Sequence, residues 1–268
     1  MPPAPATASG GAVRRLLVAG LGNASHPLTR HSVGQLVVKN LAKRARADPS
    51  CLSGSPRLES TRIGKHACFL TRVTLAPPSR TTDSSNDDDP RPLELSFLIP
   101  KAPMNINGPS VVAAWENLVP FTDRLDPPPK YHGAAIQKAP PSPAKRRTKP
   151  PPAAAATPRD QLLRLVTVQD NLDLAPSVVK YQPGGGPRGH NGVRSVSAAL
   201  NSTRFHRVWV GIGRPHAARA QVADYVLAPM ERDQVRQCEF DNDDDDGGGG
   251  EVLERVWQEI LRIGFGAS

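Results

Sequence analysis

Cysteine is scarce in this chain, with 3 in 268 residues, and Cys51, Cys68 and Cys238 form no C-x-x-C pair. An odd, scattered set excludes a disulfide scaffold or a zinc ribbon and fits a reducing compartment. Long apolar runs are missing too: no stretch approaches the roughly 20 residues that a membrane-spanning helix needs, so a soluble protein without a membrane partner is expected. The opening "MPPAPATASGGAVRR" lacks the apolar core of a secretory signal, which fits a disordered tail over 1–13 and leaves a mitochondrial address open. Acidic residues are outnumbered, 25 Asp+Glu against 34 Lys+Arg, giving a net charge of +9 that favours a polyanionic partner or an anionic surface.

Proline and glycine are concentrated in three interruptions. "TTDSSNDDDPRP" (81–92) is polar and acidic, the stretch 126–159 carries ten Pro and seven Lys+Arg against one Asp, and "DNDDDDGGGG" (241–250) is acidic and glycine-rich. All three are expected to be disordered, because they hold almost no apolar residue that could anchor them. Each lies between elements, so one domain over 14–264 with decorated loops explains the length better than two domains.

Between the interruptions, strand and helix signals alternate. "RRLLVAG" (14–20) reads as a buried strand, and 32–46 as a helix with Val33, Leu36, Val37 and Leu41 on one face. Strands follow at 67–75 and 93–100, then a helix from about 109 to 118, strands at 162–170 and 177–182, a helix near 191–201 and a strand at 205–213. A terminal helix begins at Glu251, with Val252, Val256, Ile260 and Ile263 at helical spacing. The pattern predicts a single three-layer α/β domain whose mixed, mostly parallel twisted sheet is flanked by helices. In such sheets ligands bind beyond the carboxyl ends of the strands, and the chemistry should lie there.

The turn "GLGNAS" after the first strand invites comparison with a dinucleotide fold, but fails the test. The third glycine is Ser25, Pro27 blocks an immediate helix, and the window that should hold a ribose-binding acid reads "NLAKRAR". "GGGPRGHNG" (184–192) lacks the G-K-[ST] ending of a nucleotide-hydrolysing loop, and G-x-S-x-G is absent, so no serine nucleophile is indicated. Ser32 and Ser195 read as helix-surface or capping residues. What remains is a set of amides, imidazoles and carboxylates at strand ends: Asn23 and His31, Asn105, Asp170 and Asp173, and His190 with Asn191. Singly, each could serve a turn or a cap, and His190-Asn191 could simply cap the helix that follows.

Taken together, the blocks "LLVAGLGN", "TRHSVG", "PMNINGPSV", "VQDNLDLAPSVVKYQPGGGPRGHNGVRS" and "FHRVWVGIGRP", with "VADYVLAPM" beyond, resemble the bacterial-type peptidyl-tRNA hydrolases. The resemblance implies hydrolysis, without metal or cofactor, of the ester joining a peptide to the terminal ribose of tRNA. It implies that His31 is the catalytic base, Asp170 its supporting acid, and Asn23, Asn105 and Asn191 the amides that hold the substrate. Peptidyl-tRNA is then the partner, a monomer the default state, and the cytoplasm or the mitochondrion the compartment. The long insertions point to a eukaryotic, fungal-like source. Lys180, Arg188, Arg194 and Arg207 are the candidate phosphate contacts.

Several positions depart from the family pattern. Ala24 replaces the usual Pro, the interval from Asn23 to His31 is short and lacks the common Tyr, with His26 a candidate to fill that space, and Asn171 stands for a frequent Glu. Gln182 and Trp209 occupy positions that are basic in many bacterial members, so a catalytically impaired relative that binds tRNA or ribosomal RNA is the alternative. The basic tract 130–159 is expected to compensate by diffuse attraction of phosphates. Deleting 127–158 should flatten the dependence of KM on salt, and an unchanged slope rules that role out.

Overall fold

The computed structural model describes residues 13–55, 57–78, 91–120, 124, 162–215, 219–240 and 249–266. The segments expected to be disordered fall almost wholly outside these residues.

A mixed sheet of eight strands forms the middle layer, in the order β2-β4-β5-β1-β6-β8-β7, with β3 also paired to β4. Its centre is β1 (Arg14–Gly20), β5 (Leu93–Pro100), β6 (Leu163–Asn171) and β8 (Phe205–Gly211). Pairings β1–β5, β1–β6 and β6–β8 are parallel. These strands are buried on both faces, which is why they read as nearly continuous apolar runs. Both margins turn antiparallel: β4 (His66–Leu75) against β5 at one side and β7 (Val179–Pro183) against β8 at the other.

Two strands were not expected from the sequence, β2 (Cys51–Gly54) and β3 (Glu59–Ile63), both on the outer edge of β4. They are short, polar and largely exposed, so they carry neither a buried run nor a clean alternation.

Helices cover both faces. α1 (Val33–Ala47) and α6 (Glu251–Phe265) pack on one side through Val37, Leu41, Val256, Trp257 and Ile260, all fully buried. α2 (Asn107–Leu118) and α3 (Asn191–Leu200) pack on the other, around Val111, Ala114, Val193 and Val196. α4 (Arg219–Leu227) and the short α5 (Arg232–Arg236) follow β8. The three-layer α/β expectation therefore holds, with parallel order confined to the four central strands.

Two glycines decide how α1 meets the sheet. A Cβ on Gly34 would lie 2.1 Å from the Val168 carbonyl oxygen and 2.8 Å from that of Leu21, and one on Gly20 would lie 2.6 Å from the Gly34 carbonyl oxygen. Only bare Cα atoms let the first turn of α1 rest on the ends of β1 and β6. Gly34→Ala must push the helix off the sheet; overpacking of this kind costs about 1–3 kcal/mol, which urea denaturation should register. Stability within 0.5 kcal/mol of wild type would contradict the contact.

Candidate active site

The parallel strands end on a shared carboxylate. Asp170, the penultimate residue of β6, is 3% exposed, and its Oδ1 receives two imidazoles. His31, in the single 3₁₀ turn ahead of α1, presents Nδ1 at 2.8 Å, and His190, at the N-terminus of α3, presents Nε2 at 3.0 Å. The two rings lie 5.1 Å apart between centroids and are tilted by 53°.

The tautomers follow from the partners. The Val193 backbone N–H donates to His190 Nδ1 (3.2 Å), so the proton of a neutral His190 sits on Nε2 and points at Asp170. His190 therefore caps α3, as the sequence suggested, and also holds the carboxylate, which the sequence did not reveal. His31 donates its Nδ1 proton to the same oxygen, which leaves the Nε2 lone pair as the available base. His31 and His190 line a cavity of about 550 Å³ with Asp170, Asn171, Asp173, Arg188, Asn191 and Trp209, closed across the way by Val222, Val226 and Leu227 of α4.

Burial alone would raise the Asp170 carboxyl; the interactions with His190 and then His31 outweigh it and hold the group well below the usual carboxylate range. Burial alone would lower His31; the hydrogen bond and the charge of Asp170 outweigh it and raise the imidazole above its ordinary 6.5. The donor atoms of His31, Asp170 and His190 lie within 4.8 Å of one another, the spacing of a three-ligand metal site. The donor set fits a metal poorly, because His190 Nε2 carries a proton rather than a lone pair while Val193 occupies Nδ1. Cysteine chemistry has no support here either: burial raises the Cys68 thiol and, with the Glu239 charge adding to it, pushes Cys238 up to about 12.

The amides are placed less uniformly. Asn191 is exposed at the cavity wall. Asn23 Oδ1 accepts the Met104 N–H at 2.7 Å, which leaves its NH₂ as the group able to donate. Asn105 is exposed in the 3₁₀ turn Met104–Ile106, immediately beside that contact. Gly192 continues the chain of contacts, since a Cβ there would meet Met104 Sδ at 2.5 Å. The serines do more than expected. Ser32, fully buried, bonds to both the N–H and the carbonyl of Asn23, and Ser195 Oγ accepts from Gly108 N–H at the start of α2. His26, the candidate for the space of the missing Tyr, is exposed and bonded to Ser25 Oγ.

Lys180, Arg188 and Arg194 are exposed, as phosphate contacts must be. Arg207 is a correction. It is 0% exposed, its guanidinium donates to the carbonyls of Gly184, Gly186 and Thr203, and it stacks 4.4 Å from the Phe205 ring. Burial first, and the charge of Arg188 second, lower it to about 10. It braces the glycine-rich loop from beneath and is not a phosphate contact. Beside it Trp209 Nε1–H donates to Gln182 Oε1 (3.1 Å) and packs edge-on to His190, so these two residues form a neutral wall. A second cavity, about 680 Å³ between α1 and β4, is lined by Lys39, Lys43 and Arg57 over apolar side chains and includes no acid or histidine.

Fold and site together define an α/β protein with a carboxylate-oriented imidazole at the carboxyl ends of its parallel strands. The chain belongs to the peptidyl-tRNA hydrolase family: it is 30% identical to the peptidyl-tRNA hydrolase of Teredinibacter turnerae over 249 residues, covering 92% of this chain and 94% of that protein. The family model for peptidyl-tRNA hydrolase matches residues 153–242. Identity rises to 46% over 105 residues with the Nitrosomonas europaea peptidyl-tRNA hydrolase, an alignment spanning 39% of this chain and 49% of that protein. Among solved structures, the fold matches the peptidyl-tRNA hydrolase of Acinetobacter baumannii, with a TM-score of 0.52 at 19% identity over 95% of this chain and 89% of that one. It also matches a peptidyl-tRNA hydrolase crystallised with n-propanol, with a TM-score of 0.54 at 19% identity over 94% and 91% of the two chains.

The two opposing influences on His31 can be separated by experiment. In Asp170→Asn the attraction is removed and burial remains, so the His31 titration followed by NMR should move from above 6.5 to below it. Wild-type stability contributed by protonated His31 is full below the unfolded value and is lost as pH rises through the folded one. A His31 midpoint unchanged in Asp170→Asn would sink the pairing.

Proposed function

We propose that this chain hydrolyses the ester between a peptide, or an N-blocked aminoacyl group, and the 3′-terminal ribose of tRNA, with His31 as general base. The observation that carries the proposal is the 2.8 Å contact from His31 Nδ1 to Asp170, which leaves Nε2 unprotonated on a ring that lines the cavity. Nε2 takes a proton from water as its oxygen attacks the ester carbonyl carbon. The resulting imidazolium returns that proton to the departing ribose oxygen as the acyl–oxygen bond breaks, releasing the peptide acid and free tRNA. Asp170 fixes the ring and stabilises its charged state. Asn23, Asn105 and Asn191 hold the peptide, the water and the developing oxyanion as neutral donors, adding no charge that would trap or repel phosphate.

Lys180, Arg188 and Arg194 remain the proposed phosphate contacts, supported by exposure and, for Arg188, by its place on the cavity wall. With the neutral pair Gln182–Trp209 at the clamp positions, long-range attraction rests on the net charge of +9. The reading takes 14–264 as one catalytic domain of a monomer, with a tail before it. A eukaryotic, fungal-like origin is inferred from the long insertions, and the cytoplasm or the mitochondrion from the family resemblance. Among the described residues no helix is long and apolar enough to cross a membrane.

The test uses purified full-length protein, N-acetyl-aminoacyl-tRNA and EDTA, with release of the amino acid monitored. Turnover should persist in EDTA, fall by about 10²–10⁴-fold in His31→Ala with the melting transition retained, and spare unblocked aminoacyl-tRNA. Binding of tRNA without turnover would favour the impaired relative instead.

A further inference from the structure

We infer that Asn107 is a positioning residue that locks together the two turns carrying Asn23 and Asn105; the inference rests on the proposed hydrolysis and goes beyond it. Asn107 is the first residue of α2, is 0% exposed and touches none of the cavity. Its side chain is nonetheless fully engaged. Oδ1 accepts the Gly22 N–H at 3.1 Å, and Nδ2 donates to the carbonyls of Ala102 (2.8 Å) and Pro103 (2.9 Å).

Those three partners belong to two different turns. Gly22 is in the exit from β1, one residue before Asn23; Ala102 and Pro103 are in the exit from β5, three and two residues before Asn105. β1 and β5 are parallel neighbours, so the two exits run side by side. A second bond crosses the same gap in the opposite sense, from the Met104 N–H to Asn23 Oδ1 at 2.7 Å. The result is a two-rung bridge in which each turn lends a side chain to the other's backbone. Asn107 in turn is held by its helix, whose next N–H, that of Gly108, is accepted by Ser195 Oγ of α3.

A buried amide with both its oxygen and its NH₂ engaged specifies relative position, because neither turn can slide without orphaning a buried polar group. The amide orientation of Asn23 depends on where the Met104 N–H lies. Asn107 pins the carbonyl of Pro103, the other half of the planar peptide group that carries that N–H. Loosening Asn107 therefore leaves His31 and Asp170 in place and misaligns the amides that grip the peptide. This separates it from a residue of the proton-transfer pair, and from one that only stabilises the fold.

The experiment compares Asn107→Ser and Asn107→Asp with wild type on N-acetyl-aminoacyl-tRNA. Serine is too short for the bridge, while aspartate keeps an acceptor for Gly22 and turns its second oxygen against two carbonyls. Both should raise KM by about 5–20-fold, leave kcat within about twofold and leave the pH midpoint of kcat unchanged. In an Asn23→Ala background the same changes should move kcat/KM by less than about twofold, since the amide they position is gone. Amide hydrogen exchange supplies a readout free of activity: in Asn107→Ser the Gly22 and Met104 N–H groups should exchange faster together, with β6 unaltered. A shifted pH midpoint, effects additive with Asn23→Ala, or a Met104 N–H as protected as in wild type would each overturn the proposal. If aspartate prevents folding, serine carries all three measurements. Failure of wild type to hydrolyse the substrate would refute the proposed function, while the exchange result would still decide the bridge.

Discussion

One oxygen atom, Asp170 Oδ1, receives hydrogen bonds from two imidazoles, and the layout of the molecule is the solution to bringing three buried or half-buried polar groups to that point. A carboxylate that is 3% exposed is tolerated only if its charge meets donors, because desolvation otherwise forces it to protonate. The donors come from opposite layers. His31 arrives from the α1 side, brought down by the glycine contacts between α1 and the ends of β1 and β6. His190 arrives from the α3 side, at the end of a loop whose Gly184, Gly185 and Gly189 adopt positive φ. The sheet centre thus supplies the acceptor, and each flanking layer supplies one donor.

The side of this point that faces Trp209 is neutral. Trp209 and Gln182 bond to each other and wall off His190, while Arg207 turns inward to hold the carbonyls of the glycine-rich loop. A buried guanidinium that donates to three carbonyls works as a brace, tying the loop and the turn before β8 to the strand beneath them. The cations that remain outside, Lys180, Arg188 and Arg194, are set on the rim and surface.

The central strands were legible because burial on both faces leaves unbroken apolar runs, and the helices because Val37 and Leu41, or Val256 and Ile260, repeat at helical spacing. β2 and β3 were not, being exposed edge strands whose pairing depends on β4 rather than on their own residues. Arg207 was misassigned for a reason visible in hindsight: every residue of β8 is buried, so a strand without alternation has no solvent face on which to place a cation. The family motifs point to His31, Asp170 and the three amides as candidates, and the structure brings His31 to Asp170. The second role of His190 was hidden, because a sequence can mark a capping residue but not what its other ring nitrogen reaches. Asn107 was hidden likewise; nothing in "MNING" distinguishes an amide facing solvent from one spanning two turns.

Sharing one carboxylate between two rings also bears on the strength of the proposed base, His31. An exclusive partner would give His31 the whole of the acceptor and raise its affinity for a proton further. With His190 Nε2–H already bonded to the same oxygen at 3.0 Å, part of that charge is committed elsewhere, and burial of the His31 ring works in the same direction. Both effects restrain a shift that remains upward. General base catalysis is most effective when the base is deprotonated at the working pH and still basic enough to accept a proton in the transition state. A lone Asp–His pair buried this deeply would gain basicity at the expense of the deprotonated fraction. The second imidazole therefore does more than cap α3: together with His31 it keeps Asp170 ionised.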